Sequence, residues 1–164
     1  MRKFAFIAPL GAVLAIAATP ALAAEPTVTV TLGPDLQDKV EDLGAREVSQ
    51  QTDRLVEVVQ RTLARRGALD GARIDLVITD LKPNKPTWEQ MSDRPGLDYF
   101  GSVSIGGAAF EGQVTLADGS VQPIKYDWFT NNLAEVYGYS TWQDAGRAYQ
   151  RLASKLADGR YVTR

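Results

Sequence analysis

The sequence predicts an α+β protein, in which helices pack on one face of a largely antiparallel sheet of about five strands. Segments of alternating apolar and polar residues, each about the length of a strand, recur along the chain. Other segments repeat their apolar residues at helical spacing. The last three strand-like segments follow one another across short Gly-containing gaps, which is typical of an antiparallel meander.

The first 23 residues have the pattern of a secretory signal peptide. Arg2 and Lys3 precede an uncharged apolar run over residues 4–18, and Ala-Leu-Ala at 21–23 supplies the small residues that signal peptidase accepts. Prolines and a glycine interrupt the run, whereas an uncleaved anchor needs roughly 20 apolar residues. We expect cleavage after residue 23, one domain over residues 24–164 without a membrane span, and a periplasmic or secreted bacterial protein.

The first half of the domain alternates between strands and helices. Residues 27–32 alternate Thr with Val or Leu, which predicts a half-buried strand. Pro34 opens a short helix that ends at Gly44, and a longer helix is expected over 46–66. The residues expected to face the core are Leu36, Val40 and Leu43 in the short helix, and Val48, Leu55, Val58, Val59 and Leu63 in the long one.

Three arginines, Arg61, Arg65 and Arg66, lie in the last turn of the long helix. Cations there stabilise the negative end of the helix dipole, by about 0.3–1 kcal/mol each. This interpretation is favoured over an anion-binding patch.

A second strand is expected over Arg73–Thr79, with Ile74, Leu76 and Ile78 inward. The next segment, Lys82–Gly96, contains three prolines and no usable periodicity, which predicts a long loop.

The meander can be tested by the register that each turn would impose. A two-residue Gly106-Gly107 turn keeps Tyr99, Val103 and Ile105 of a third strand on the same face as Ala108, Phe110 and Val114 of a fourth. For the fifth strand, a three-residue Ala117-Asp118-Gly119 loop with Gly119 left-handed keeps Ile124, Tyr126 and Trp128 on that face too. This register places Glu111 opposite Lys125.

The last predicted helix begins at Ser140 or Thr141 and ends before Gly159. Its core stripe consists of Trp142, Ala145, Tyr149, Leu152 and Leu156.

Composition excludes several kinds of chemistry. The chain has no Cys and no His, which rules out disulfides, a lipidated cysteine, Ser-His and Cys-His catalysis, and thiolate or imidazole metal sites. Its net charge of -2 becomes about -4 without Arg2 and Lys3, with acids and bases interspersed along the sequence. We therefore expect no cofactor, no metal and no nucleic-acid partner.

Together, the Thr/Val strand, the Arg-ended helix, the segment Ile74–Asp80 and the Gly-Gly-Ala of residues 106–108 resemble uncharacterised exported bacterial domains. More distantly, the layout is similar to small α+β domains of envelope-assembly lipoproteins and to the amino-terminal module of the Tol-system propeller protein. The lipidated Cys of the lipoproteins is absent. The resemblance implies binding at the cell envelope and supplies no catalytic residue.

Aromatic side chains that are out of phase with the buried faces are candidates for binding. They are Trp88, Phe129, Tyr137 and Tyr139, and Arg94 joins them from the long loop. For Trp88 the alternative is a lid packed over the sheet edge. Phe110, Tyr126, Trp128, Trp142 and Tyr149 are instead expected in the core.

Two carboxylate hypotheses compete with binding. Glu111 and Asp127 would suit acid-base catalysis, but the register favours an ion pair between Glu111 and Lys125. Asp80, Glu89, Asp93 and Asp98 would suit a calcium ion, although their spacing matches no calcium loop.

The sequence thus favours a non-catalytic periplasmic module that binds a protein or envelope component through Lys82–Gly96 and Phe129–Tyr139. The alternative is a carboxylate-dependent hydrolase acting on an envelope polymer. A homodimer through an edge strand or the Thr-rich face is a further expectation.

Overall fold

The computed structural model describes residues 24–136 and 139–162, so the expected signal peptide lies outside the described residues. The strands are β1 (Thr27–Leu32), β2 (Arg73–Lys82), β3 (Gly107–Thr115) and β4 (Val121–Phe129). The α-helices are α1 (Pro34–Gln37), α2 (Val40–Leu43), α3 (Ala45–Arg66), α4 (Trp88–Asp93) and α5 (Gln143–Ala157), and a 3₁₀ turn covers Leu133–Val136. No helix among these residues is long and apolar enough to cross a bilayer.

The strands form one sheet in the order β1-β2-β3-β4. β1 is parallel to β2, and the other two pairs are antiparallel. Helices α3 and α5 pack on each other and against the sheet. The α+β class and the mostly antiparallel sheet are confirmed, with four strands instead of five.

Aromatic side chains fill the centre of the core. Phe110 stacks on Tyr126 at a ring-centroid distance of 6.3 Å and meets the edge of Tyr149 at 5.9 Å. All three are at most 4% exposed. Because β3 and β4 bring these rings onto the face that α5 covers, the inward phase of both strands is confirmed.

The register of the β3–β4 hairpin is as predicted. Glu111 pairs with Lys125 and Phe110 with Tyr126. The loop between Leu116 and Ser120 contains three residues, and Gly119 has a φ of 84°.

The predicted strand over residues 99–105 and the Gly106-Gly107 turn are wrong. β2 continues past Thr79 through a bulge that brings Leu81 back into the core. This extension lets β2 pair with β3 as far as Gly107, while β4 takes the other edge of β3. No edge of β3 is left for residues 99–105, and Gly107 belongs to the strand instead of a turn.

Two helix predictions also need correction. The helix expected from Pro34 to Gly44 is divided into α1 and α2 by a break at Asp38 and Lys39. α5 begins at Gln143, and its capping residue is Trp142, which makes no side-chain cap hydrogen bond.

The two edges of the sheet differ. The edge of β4 is partly covered, because the Lys125 N–H donates to the Tyr161 carbonyl at 3.0 Å. No described residue pairs with the outer edge of β1. The homodimer stays a prediction, and the β1 edge is where a strand could add.

Candidate functional site

The segment between β2 and β3, residues 83–106, leaves the sheet and returns to it. We call it the crest. It is not an irregular loop as predicted, because α4 forms inside it. Thr87 and Gln90 make a reciprocal capping box, each side chain bonding the other's backbone N–H at 3.2 Å. The spacing Thr-x-x-Gln is a known start signal for a helix, so the sequence contained the information for α4.

A buried polar pair joins the crest to α5. Asn84 and Asp144 are both fully buried. The Asn84 Nδ2 donates to Asp144 Oδ2 at 2.6 Å, and the Asp144 N–H donates to Asn84 Oδ1 at 2.9 Å. Arg147 Nη1 donates to the second carboxylate oxygen at 3.0 Å. Buried polar groups are tolerated only when hydrogen-bonded, so this pair fixes where the crest begins.

Further buried groups hold the crest in shape. Lys85 is only 4% exposed, and its Nζ donates to the Tyr99 carbonyl at 2.8 Å while lying over the Tyr99 ring. The Trp88 N–H donates to Glu47 Oε1 of α3 at 3.0 Å. Sequence reasoning missed Asn84, Lys85 and Asp144, because nothing in a local pattern shows that a polar residue will be buried.

The crest displays large apolar side chains on this fixed backbone. Trp88 is 75% exposed and Phe100 82% exposed. Pro83, Pro86, Leu97, Val103 and Ile105 line an open groove with a volume of about 310 Å³. Exposed apolar surface of this kind is typical of binding sites.

One side of the groove is formed by residues 102–105, which precede β3. The Ser104 N–H donates to the Asn84 carbonyl at 2.8 Å, so Ser104 is bound to the beginning of the crest. Val103 and Ile105 make no backbone hydrogen bond with any described residue. Their N–H and C=O groups are therefore available to an added peptide strand.

The residues predicted to bind are not gathered in one place. Trp88 and Arg94 belong to the α4 region, where Arg94 lines the groove and forms an ion pair with Asp42. The half-buried Phe129 packs under Lys82 Nζ, 4.9 Å from its ring centre. Tyr139 is also half-buried, and its hydroxyl accepts from Arg147 Nη1 at 2.8 Å. Tyr137 lies outside the described residues.

An acidic depression borders the other side of α4. It has a volume of about 640 Å³ and is lined by Asp38, Glu41, Asp42, Ala45, Glu89 and Asp93. Asp42 is already engaged, because it accepts from Gln90 Nε2 at 2.8 Å and pairs with Arg94. The same short helix thus has an apolar groove on one side and negative charge on the other.

The acids proposed for catalysis lie on the open face of the sheet. Glu111 Oε1 accepts from Lys125 Nζ at 2.7 Å, and Asp127 lies opposite Ala109 on the same strand pair. Neither lines a described cleft. This placement favours the ion pair over a catalytic pair.

Hydrogen bonds keep several carboxylates ionised. The hydroxyl of Thr29 and then the guanidinium of Arg73 lower the pKa of Asp75. Ser120 lowers the pKa of Asp118, and Arg160 lowers that of Asp158. A lowered pKa makes a carboxyl a poorer general acid at neutral pH.

The four acids considered as calcium ligands do not converge on one point. Two of them bind other groups of the protein, and the other two line the acidic depression. Asp80 pairs with Lys39 and Lys82, and Asp98 accepts from the N–H groups of Phe100 and Gly101. Glu89 and Asp93 face the acidic depression. Within the described ranges no group of three or more acids is placed to hold a metal ion.

No family model matches the chain, and no curated protein matches it significantly.

Proposed function

We propose that this protein is a non-catalytic periplasmic module that recognises a protein of the cell envelope through the crest. The observation that carries the proposal is Trp88, 75% exposed at the start of a helix that a capping box and Glu47 hold in place. A rigid exposed indole loses little conformational entropy on binding, which is why Trp is frequent among binding hot spots. The resemblance to exported envelope domains supports the same class.

The groove and its borders suggest the chemistry of the partner. An extended segment can pair with the free backbone groups of Val103 and Ile105 while its apolar side chains enter the groove. The acidic depression beside α4 favours Lys or Arg next to that segment. The proposed ligand is thus an extended apolar peptide with basic flanks, presented by another protein.

The hydrolase alternative has less support. It needs two acids converging in one cleft with a substrate-sized opening, but Glu111 and Asp127 lie on the open sheet face. The acidic depression does gather carboxylates, but Asp42 within it is already bound to Gln90 and Arg94.

Replacing Trp88 tests the proposed site. We expect Trp88→Ala to leave the free energy of unfolding within roughly 0.5 kcal/mol of the parent, because the side chain is mostly solvated. The same change should weaken partner binding at least tenfold, as hot-spot truncations do. Urea denaturation measures the first effect, and quantitative recovery of crosslinked partner from the periplasm measures the second.

Val121→Ala is the matched control, since Val121 is a 54% exposed apolar residue at the far end of β4. This control should change neither the free energy of unfolding nor the recovery of the partner. Loss of about 3 kcal/mol or more in Trp88→Ala would instead identify Trp88 as a packing residue, and unchanged partner recovery would remove the crest as the site.

The expected export can be measured separately. We predict a mature amino terminus at Ala24 in the soluble periplasmic fraction, because residues 21–23 have the signal-peptidase pattern. Intact-mass measurement decides the point. A product that retains Met1 and sediments with membranes would contradict it.

A further inference from the structure

Positive charge collects on the helical side of the molecule, although it is dispersed in the sequence. Among the described residues, the basic side chains at the surface that form no ion pair are Arg46, Arg54, Arg65, Arg151 and Lys155. All five belong to α3 or α5. Folding therefore concentrates uncompensated cations on the helix pair of a chain whose net charge is negative.

Three cations of α5 are held in a row by aromatic rings. Arg147, Arg151 and Lys155 recur every fourth residue, which places them on one flank of the helix about 6 Å apart. Their charged groups lie over the rings of Tyr139, Trp128 and Tyr126, at 4.6, 4.7 and 5.4 Å from the ring centres. Stacking of this kind orders the cations before any ligand arrives.

The exposed ridge of α5 is uncharged and has cations on both sides. Gln150 and Ser154 line two adjoining depressions, one with Arg147, Arg151, Lys155 and Arg160 and the other with Arg65 and Arg66. A third depression contains Arg54 and Arg147. We call the ridge, together with the cations of these three depressions, the basic face. Its seven cations are Arg54, Arg65, Arg66, Arg147, Arg151, Lys155 and Arg160. It follows α5 for about 22 Å, the length of a 15-residue helix.

No described acid lines any of the three depressions of the basic face. Asp158 lies beyond the end of α5, where it pairs with Arg66 and Arg160. Asp144 is fully buried and bound to Asn84 as well as Arg147. Arg54, Arg65, Arg151 and Lys155 form no ion pair with any described acid.

An exposed aromatic residue borders one end of the basic face. Tyr99 lines the depression that contains Arg54 and Arg147, and its ring meets that of Phe100 edge-on at 5.6 Å. Phe100 itself is 82% exposed. Cations beside an exposed Phe are typical of surfaces that rest on an anionic bilayer, where the ring enters the headgroup region.

We propose that the basic face docks on the anionic phospholipid headgroups of an envelope membrane, with Phe100 inserted at the interface. This proposal rests on the export that the proposed function assumes. It does not depend on Trp88 or on the protein that Trp88 would bind. A bilayer fits better than a nucleic-acid strand, because Tyr126, Trp128 and Tyr139 already stack on cations of the protein and the described residues of the basic face offer no row of free rings for bases.

Vesicle sedimentation tests whether the basic face binds anionic phospholipid. The protein is produced from the full sequence, including residues 1–23, and is purified as the cell processes it. The parent should bind vesicles containing phosphatidylglycerol, and raising the salt from about 0.05 to 0.5 M should release it, as expected for charges screened over a shorter Debye length. Neutral phosphatidylcholine vesicles should bind it far less. The triple variant R65Q/R151Q/K155Q should lower the partition coefficient on the order of 100-fold, given the contribution of each cation near such a surface.

The matched control is K39Q/R73Q/K125Q, which removes the same charge from other parts of the molecule. It should retain more than half of the binding. Phe100→Ala should weaken binding about tenfold without changing its salt dependence, and Trp88→Ala should leave it unchanged, so failure of the peptide site does not affect this result. Equal binding to neutral vesicles, equal losses in the two triple variants, or tighter binding to a single-stranded oligonucleotide than to charged vesicles would overturn the proposal.

Discussion

Gly112→Ala is expected to destabilise the protein by about 3–5 kcal/mol, a large part of the roughly 5–15 kcal/mol by which a native domain is stable. Gly112 lies in β3 between Leu76 of β2 and Ile124 of β4, with a φ of 150°. A Cβ at this position would overlap the Asp75 carbonyl oxygen and come within 3.1 Å of the Leu76 Cα. Both atoms belong to the backbone of a central strand, so no side chain can move aside to make room. The free energy of unfolding from urea denaturation measures the effect.

Two other glycines provide graded controls for this substitution. A Cβ at Gly119 has no atom within 4 Å but must adopt a φ of 84°, so Gly119→Ala should cost only about 1 kcal/mol. Gly146 lies inside α5 with its nearest contact at 3.8 Å, and Gly146→Ala should stabilise by about 0.5–1 kcal/mol through helix propensity. If all three variants unfold at the same urea concentration, the close approach of β2 and β3 at Gly112 is wrong.

The register of β3 and β4 could be predicted because two constraints agree there. The apolar faces of the strands must coincide, and only a loop of suitable length permits this. Phe110, Tyr126 and Gly119 were enough to choose between a two-residue and a three-residue loop. The prediction was wrong at Gly106-Gly107. Residues 99–105 have a phase that suits pairing with β3, but another strand competes for the same edge of β3.

That competitor was β2, whose bulge at Thr79 could not be foreseen. Alternation in the sequence ends at Thr79, so the predicted strand ended there too. In the structure one extra residue restores the phase, which buries Leu81 opposite Ala108 and extends the pairing with β3. Bulges change the period locally, and a pattern with a strict period of two does not detect them.

The candidate sites depend even more on contacts that are distant in sequence. The exposure of Trp88 follows from its position outside every apolar stripe, and this much could be argued from the sequence. The anchoring of the crest joins Asn84 to Asp144, 60 positions apart, and the basic face joins α3 to α5. Charges that alternate in sign along the chain separate only when helices and strands place them on different sides.

Asp144→Ala should cost about 2–4 kcal/mol and release the crest from α5. The carboxylate is fully buried and accepts hydrogen bonds from both Asn84 and Arg147. Its removal leaves the buried Asn84 Nδ2 with only the long 3.4 Å bond to the Ser104 carbonyl, which carries a desolvation penalty, and takes the counter-ion from Arg147. The side chain of Arg147 is 42% exposed, so water compensates part of its loss and the effect stays below that of a fully buried pair.

The coupling between the two anchor residues distinguishes this explanation from a general loss of helix stability. In a double-mutant cycle, Asn84→Ala and Asp144→Ala should be non-additive by at least about 1 kcal/mol, because each removes the partner of the other. Chymotrypsin should also cleave after Phe100 faster in both single variants than in the parent, since the crest opens locally. The control Asp53→Ala removes an exposed acid of α3. It should alter neither the coupling energy nor the rate of cleavage in the crest. Additive energies together with an unchanged cleavage rate would mean that Asp144 supports α5 alone and that the crest is held by Lys85 and the α4 cap.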